Sequence, residues 1–211
     1  QDEYRFARKY FHISRVIFAL CCRILIFHNP VRELIAFYRT AGTKRFNYRD
    51  ATPAHEEYAD FKSRLIQNRP FVTVIIPTLN RYEYLNDVLA DLEAQDYTDF
   101  NVIVVDQSSP FNVGFYENRK LDLKVINQTE KALWLARNTA VRSTEADYLL
   151  FYDDDSRIEK DWISQHLKCM DYFKADISSG VSVSKIGAKV PENYRFFRWS
   201  DQLDTGNVLI H

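Results

Sequence analysis

Glycine is scarce in this sequence. Only five of its 211 residues are glycine, and none lies between Gly42 and Gly114. Dinucleotide-binding domains place G-x-G-x-x-G after the first strand of the sheet, and P-loop proteins place G-x-x-x-x-G-K there. The first strand predicted below, at 71–76, lies inside the glycine-free interval. Both ways of holding a phosphate on a glycine-rich backbone loop are therefore excluded.

Cysteine and net charge are also low. The three cysteines, Cys21, Cys22 and Cys169, show no metal-ligand spacing. They are more simply interpreted as small buried side chains of a protein in a reducing cytosol than as parts of a secreted domain built on disulfides. A net charge of −1 gives no general reason to expect nucleic-acid binding. The charge is uneven, because residues 1–45 carry nine basic and three acidic side chains, or +6, which leaves −7 for the remainder.

The sequence contains no long uninterrupted hydrophobic run. The apolar stretch Val16–Phe27 includes Arg23 and is shorter than the roughly 20 residues that span a bilayer. No small-residue cleavage site follows it, so it does not match a signal peptide. Residues 4–27 predict an amphipathic helix with a basic side. Two interpretations stay open: the helix lies on an anionic membrane surface, or its apolar side packs on protein. We expect a cytoplasmic protein, in the first case peripheral on the inner face of the membrane.

Strands and helices alternate in the second part of the sequence. Further helices are predicted from Pro30 to about Ala41 and from Thr52 to Gln67, and from residue 71 short apolar runs rich in β-branched residues predict strands buried on both faces. The strands are predicted at 71–76, 101–106, 123–126, 148–152 and about 177–183, and the helices between them at 82–94, 130–142 and 159–175. This order predicts an α/β domain with a mostly parallel sheet at 70–211, preceded by a helical region at 1–69.

Polar residues follow three of these strands directly, at 77–81, at 106–109 and at 153–155. Ligands of open α/β sheets bind beyond the carboxyl ends of the strands. One polar junction of this kind is common, but three in succession predict a shared site with carboxylates at its edge.

Three consecutive aspartates, 153–155, end the fourth predicted strand. Neighbouring carboxylates repel unless a cation or hydrogen-bond donors compensate them. Side chains alternate in an extended segment, so Asp153 and Asp155 would point the same way and could hold one Mg²⁺ or Mn²⁺. The alternative is that the segment from Asp153 to Ser156 only caps the helix that follows.

Four motifs in order carry a resemblance to a known family. They are FVTVIIPTLNRYEYLNDVLADLEAQDYTDFNVIVVDQSS (71–109), ALWLARNTAV (132–141), LLFYDDDS (149–156) and DTGN (204–207). Together they resemble a family 2 glycosyltransferase over about residues 70–211. The resemblance implies the GT-A fold, a Rossmann-like, mostly parallel sheet flanked by helices that handles nucleotide-sugars.

The resemblance also implies roles for individual residues. Asp106 would accept a hydrogen bond from the base, and Arg137 would face the nucleotide or its diphosphate. Asp153 and Asp154 would contact the ribose side, and Asp155, with Asp153, would ligate Mg²⁺ or Mn²⁺. The other donor-site residues would be Pro77, Thr78, Asn80, Arg81 and Gln107, and the loop where donor sugar and acceptor meet would be Thr205, Gly206 and Asn207. For Arg137 a surface ion pair is the ordinary alternative.

The implied activity is metal-dependent, inverting transfer of a sugar from a nucleotide-diphosphate-sugar to a glycan or lipid-linked acceptor, as in cell-envelope polysaccharide synthesis. A homo-oligomer is compatible with it. A non-catalytic nucleotide-sugar binder or scaffold and a nucleotidyltransferase are the alternatives. The sequence departs from the family at 133–135, where Leu-Trp-Leu stands in place of the frequent glycine. An inverting transferase needs a carboxylate base. In this family the base follows the DTGN loop, so we expect it beyond His211 and expect the domain to be truncated there.

Overall fold

The computed structural model describes residues 55–181 and 205–211, with isolated positions at 17, 34 and 35. The amphipathic helix predicted at 4–27 and the helix predicted from Pro30 lie otherwise outside the described residues, and so do residues 182–183 of the last predicted strand. No helix in the described part of the chain is long and apolar enough to cross a bilayer.

The described residues form six strands, five α-helices and one short 3₁₀-helix. The strands are β1 (Val72–Thr78), β2 (Phe100–Asp106), β3 (Leu123–Asn127), β4 (Tyr148–Tyr152), β5 (Ile177–Ser179) and β6 (Asn207–Ile210). The α-helices are α1 (His55–Asp60), α2 (Arg64–Gln67), α3 (Tyr82–Glu93), α4 (Leu133–Val141) and α5 (Trp162–Phe173), and the 3₁₀-helix is Val113–Tyr116.

The strands make one mixed, mostly parallel sheet in the order β3-β2-β1-β4-β6-β5. β1 pairs in parallel with both β2 and β4, and β3 pairs in parallel with β2. β6 runs antiparallel between β4 and β5. The predicted GT-A-like α/β class is confirmed. β6 was not predicted as a strand, because a strand of four residues is too short to show a clear period.

The sheet is covered on both faces, as the continuous apolar runs predict. Alternate residues of β1 separate into two clusters: Val72, Val74 and Ile76 pack with α3 and α5, whereas Ile75 packs with Ala136 and Ala140 of α4. Full burial of β1 is favourable by about 25 cal/mol per Å² of apolar surface removed from water. This central position fixes the carboxyl end of β1, where the site residues begin.

Pro77 occupies β1 although proline is rare in central strands. Its pairing explains the exception. β1 pairs with β2 as far as Thr78, but its pairing with β4 ends at Ile75. The proline nitrogen, which cannot donate a hydrogen bond, therefore lies beyond the last residue that needs a partner on the β4 side.

Two helix boundaries differ from the sequence-based expectation. The single helix predicted to end at Gln67 is interrupted, because the Ser63 hydroxyl accepts a hydrogen bond from the backbone N–H of Ile66 and starts α2 as a new helix. α5 begins at Trp162 rather than at 159. The residues before it are held by Asp91, whose carboxylate accepts hydrogen bonds from the Arg157 guanidinium and the Ile158 backbone.

The predicted boundary between the helical region and the α/β domain, at residues 69 and 70, stays a prediction. α1 and α2, which precede it, pack on α5: the Ser63 hydroxyl and the Leu65 backbone N–H both donate to Asp171, at 2.9 and 3.1 Å. The pKa of Asp171 is about 2, because the donors, Lys174 among them, outweigh the opposing effect of burial.

Candidate functional site at the carboxyl edge of the sheet

A buried hydrogen bond joins the ends of β1 and β4. The Thr78 hydroxyl donates to Oδ2 of Asp154 at 2.6 Å, and both residues have at most 5% of their surface exposed. A buried carboxylate is stable only when donors or cations compensate its charge. Thr78 therefore provides one of the contacts that allow Asp154 to lie inside the protein.

Arg81 provides the compensating charge. One of its terminal nitrogens, Nη1, lies 3.2 Å from Asp154 Oδ1 and 2.7 Å from Asp155 Oδ2. Asp154, and after it Asp155, raise the pKa of Arg81 above its usual value. Asp155 differs from Asp154 in exposure, since its side chain is 45% exposed. One arginine thus holds a buried and a half-exposed carboxylate together.

The three aspartates do not continue the strand. β4 ends at Tyr152, and Asp154 and Asp155 lie in a turn. The extended backbone from which the alternation was predicted ends at Tyr152. Beyond it Asp153 pairs with Arg137 and Asp155 shares Arg81 with Asp154. The side chains of Asp153 and Asp155 are about half exposed, whereas Asp154 is buried, so the predicted pairing of Asp153 with Asp155 stays a prediction. The capping alternative is wrong, because α5 starts at Trp162, after Asp161.

Arg137 connects the aspartates to the turn at 205–206. Its Nη2 donates to Asp153 Oδ1 at 3.1 Å and its Nη1 donates to the Thr205 hydroxyl at 3.0 Å. The Arg137 side chain is only 17% exposed, and its ion pair is with the half-exposed Asp153. Nε of Arg137 is buried and has no hydrogen-bond partner among the described residues. The Gly206 carbonyl accepts from the Asp153 backbone N–H at 3.3 Å, which attaches the same turn a second time.

Asp106, at the end of β2, has no exposed surface. Its Oδ2 accepts hydrogen bonds from the hydroxyls of Tyr82 and Tyr116, at 2.7 and 2.8 Å, and its Oδ1 accepts from the Ser108 backbone N–H at 2.8 Å. Burial, and after it the bond to Asp106, raise the pKa of the Tyr116 hydroxyl. Both tyrosines therefore stay protonated donors at neutral pH, and the carboxylate fixes the loop that contains Tyr116.

The loops after β1 and β2 are tied to each other. The Asn80 backbone N–H donates to the Ser108 hydroxyl at 2.7 Å, and the Ser109 backbone N–H donates to the Asn80 side-chain oxygen at 3.1 Å. Asn80 has a φ of 55°, in the left-handed region that asparagine tolerates better than most residues. The Gln107 backbone N–H donates to the Thr78 carbonyl at 2.9 Å, and its side-chain amide donates to the carbonyls of Glu130 and Ala132, just before α4.

Two carboxylates at this edge are suited to a cation. The side chains of Asp153 and Asp155 are 47% and 45% exposed. Mg²⁺ prefers oxygen ligands and is usually bound by one or two carboxylates together with substrate phosphates and water. The donor set therefore fits a cation that shares its coordination with a phosphate ligand. Among the described residues, no group of three or more His, Cys, Asp or Glu side chains is arranged to hold a metal by itself.

The structure adds residues that the motifs did not indicate. Tyr82 and Tyr116 were not predicted as part of the site, and neither were Trp162 and His166, which contact the side chain of Asn207. Of these four residues, only Tyr82 could have been placed in the site from the sequence, because it directly follows Arg81. Tyr116 comes from the 107–122 loop region and the other two from α5, so their proximity depends on the fold.

Comparisons with known proteins agree with this architecture. Over 113 residues the chain is 31% identical to Glycosyltransferase GlyA of Streptococcus pneumoniae, covering 52% of this chain and 16% of GlyA. Over 113 residues it is 33% identical to the poly(ribitol-phosphate) β-N-acetylglucosaminyltransferase TarS of Staphylococcus aureus, covering 50% of this chain and 20% of TarS. The matched region thus spans at most a fifth of either relative.

A solved structure of S. aureus TarS, residues 1–349, shares the fold with a TM-score of 0.51 at 28% identity, covering 58% of this chain and 38% of that one. The pattern of glycosyl transferase family 2 matches residues 73–206, which include all the site residues described above except Asn207. The chain belongs to glycosyl transferase family 2.

Proposed function

We propose that this chain binds a nucleotide-diphosphate-sugar at the carboxyl edge of its sheet and serves a glycosyltransferase that passes the sugar to a glycan or lipid-linked acceptor. The observation that supports this most is the arrangement of the three aspartates. Two arginines, Arg81 and Arg137, hold them beside Thr78 and the turn at 205–206. Positive and negative groups are thus collected where a diphosphate and a cation would be bound together.

The relatives support the class of reaction. TarS is named for the transfer of N-acetylglucosamine to poly(ribitol-phosphate), and GlyA is named as a glycosyltransferase. Both names indicate transfer of a sugar, and the name of TarS adds a polymeric acceptor.

Arg81 exchanges partners when the donor binds. In the structure its Nη1 is shared between Asp154 and Asp155. Phosphate oxygens are strong acceptors for a guanidinium group, so a bound diphosphate gives Arg81 an alternative partner. That exchange leaves the oxygens of Asp155 available for a divalent cation, while Asp154 keeps its bond to Thr78.

Asp153 and Asp155 are the residues that would hold the cation, with the diphosphate completing the coordination. When bound, Mg²⁺ or Mn²⁺ neutralises the negative charge that develops on the departing nucleoside diphosphate. Arg137 adds positive charge close by. Its buried Nε has no partner among the described residues, and a phosphate oxygen that reached it would accept a hydrogen bond from it.

Asp106 supports the nucleotide side of the site. Its carboxylate fixes Tyr82, Tyr116 and the backbone at Ser108. We propose that the nucleotide base packs beside these residues, next to Leu79, whose side chain is exposed. Inversion at the anomeric carbon requires a catalytic carboxylate that accepts the proton of the acceptor hydroxyl. None of the described residues is assigned that role.

Calorimetric titration tests the proposal. UDP and GDP are titrated into the protein in Mn²⁺ and then in EDTA, and the measurement is repeated with Asp155→Asn. We expect one nucleoside diphosphate to bind in Mn²⁺ and its affinity to fall at least about tenfold, or 1.4 kcal/mol, in EDTA and in the variant. Asp99→Asn is the matched control, because Asp99 forms an exposed ion pair with Arg69 before the start of β2.

Two results would contradict the proposal in different ways. Failure of the protein to bind either nucleotide in Mn²⁺ would remove the donor site. Binding that is equally strong in EDTA and in Asp155→Asn would keep the donor site and remove the metal from it.

A further inference from the structure

A buried polar network lies behind the turn at 205–206. It consists of Trp162 and His166 of α5, Ser178 of β5 and Asn207 of β6, none of which exposes more than 9% of its surface. The Asn207 side-chain oxygen Oδ1 accepts from Trp162 Nε1 at 2.9 Å and lies 3.0 Å from His166 Nε2. The other ring nitrogen of His166, Nδ1, lies 3.0 Å from the Ser178 hydroxyl.

Elementary hydrogen-bond chemistry fixes the proton positions in this network. The indole N–H of Trp162 can only donate, so the group that faces it must be the oxygen of the Asn207 amide. His166 Nε2 faces the same oxygen and must therefore carry the proton. Nδ1 is then an acceptor, and the Ser178 hydroxyl donates to it. Each of the three bonds then has one donor and one acceptor, and both ring nitrogens of His166 have a partner.

The network is attached directly to the candidate site. Asn207 pairs with Tyr152, the last residue of β4 before the aspartates. The two residues that precede Asn207 contact the site itself: the Gly206 carbonyl accepts from the Asp153 backbone, and the Thr205 hydroxyl accepts from Arg137. A displacement of Asn207 would therefore move both contacts.

Hydrophobic packing of β6 does not need this network. Val208 and Leu209, the next two residues of β6, expose 1% and 0% of their surface and already anchor the strand in the core. Buried polar groups are costly unless they are satisfied, whereas replacing both partners of a hydrogen bond by apolar groups of similar shape can be nearly neutral for stability. What a satisfied network adds is a single defined orientation of its members.

We propose that Trp162 and His166 are positioning residues of the donor site, which hold Asn207 so that the Thr205–Gly206 turn keeps Arg137 and Asp153 in place. The inference rests on the proposed function, because it assigns these contacts to the binding of a nucleoside diphosphate. Neither residue touches the ligand. Their effect on binding passes through Asn207 and the turn.

Single substitutions separate positioning from folding. Trp162→Phe keeps an aromatic ring but removes the donor, and His166→Leu removes both bonds of the imidazole. We expect each to weaken binding of the nucleoside diphosphate in Mg²⁺ by roughly three- to tenfold, the equivalent of one lost hydrogen bond. His166→Gln, whose amide can donate to Asn207 and accept from Ser178, should restore most of the affinity.

Two controls accompany these variants. Leu167→Val shortens a fully buried side chain of the same helix. It should lower the free energy of unfolding through a small cavity while leaving nucleotide affinity unchanged. Phe71→Leu changes an exposed side chain directly before β1, at the edge of the sheet away from the site, and should alter neither quantity. NMR spectra of the indole N–H groups add an independent readout, since the chain has only three tryptophans and the Trp162 signal should shift in His166→Leu but not in Leu167→Val.

The outcomes are distinguishable. If the unaltered protein binds no nucleoside diphosphate, the proposed function fails and the positioning role fails with it. If it binds, and folded Trp162→Phe binds equally well, the positioning role alone is overturned. If His166→Leu fails to fold, the nucleotide affinity of Trp162→Phe alone tests the positioning role.

Discussion

The hydroxyl of Thr78 donates to the carboxylate of Asp154 across 2.6 Å and joins the carboxyl ends of two adjacent parallel strands. The two residues are 76 positions apart in the sequence. Their contact gives the buried carboxylate a neutral donor in addition to Arg81. The ends of β1 and β4 are thereby held at a fixed separation, which sets the spacing of the residues on either side of them.

Thr78→Val should weaken this junction and reduce nucleotide binding. Valine has nearly the same shape but leaves one oxygen of a buried carboxylate without its donor, which costs about 1–3 kcal/mol. Urea denaturation measures the lost stability, and calorimetry with a nucleoside diphosphate measures the lost affinity. Thr73→Val is the matched control. Thr73 is a buried threonine of the same strand whose hydroxyl contacts Asn101 and Thr144 near the opposite end. It should lower stability without lowering affinity, and equal losses of affinity in the two variants would contradict the prediction.

Tyr116→Phe should loosen the loop that Asp106 holds. The hydroxyl is one of three donors to the fully buried Asp106 carboxylate. We expect a loss of about 1–3 kcal/mol in the free energy of unfolding and weaker nucleotide binding. The double variant Tyr82→Phe/Tyr116→Phe should lose more than the sum of the single changes, because it removes both side-chain donors from one oxygen.

Tyr84→Phe is the control for the tyrosine variants, since Tyr84 lies on α3 with 57% of its surface exposed. Its stability should change by less than about 0.5 kcal/mol. Stability of Tyr116→Phe equal to that of Tyr84→Phe would show that the buried contact contributes nothing.

The sequence predicts the sheet well because its strands are strongly marked. Continuous apolar runs at β1 and β2 and the polar residues that follow them indicate both the core and the binding edge. The partners of those polar residues are less predictable. Asp154 meets Thr78 only because the chain turns after Tyr152, and that turn is not visible in a run of aspartates. The break before α2 likewise depends on Asp171, which lies on a distant helix.

Acidification should destabilise the protein through His166. Burial lowers its pKa from 6.5 to about 4, although the contacts with the Asn207 side chain and the Ser178 backbone oppose the shift. In the unfolded chain the His166 side chain is protonated below about pH 6.5, whereas in the folded protein it is protonated only below about pH 4. The contribution to stability is therefore complete above pH 6.5, falls as the pH is lowered, and levels off below about pH 4. The shift corresponds to about 3 kcal/mol.

Urea denaturation at a series of pH values from 7.5 to 4 measures this dependence. His166→Gln has no titrating group at this position, so the pH dependence of its stability should be shallower than that of the unaltered protein in the same window. Subtracting one curve from the other cancels the contribution of the carboxylates that both proteins share. Parallel curves would mean that His166 is not the group responsible.

Gly180→Ala should displace Asn207 and disrupt the turn that it anchors. A Cβ at position 180 would lie 2.2 Å from Nδ2, 2.6 Å from Cγ and 2.7 Å from Oδ1 of Asn207. That amide cannot easily move aside, because Trp162 and His166 hold its oxygen. Overpacking of this kind costs about 1–3 kcal/mol, which urea denaturation would detect, and the indole N–H signal of Trp162 should shift. Gly114→Ala is the matched control, since its Cβ would meet Asn112 Oδ1 at 3.6 Å, an ordinary contact. Equal stability of the two alanine variants would show that the backbone near Gly180 yields and that Asn207 is not rigidly held.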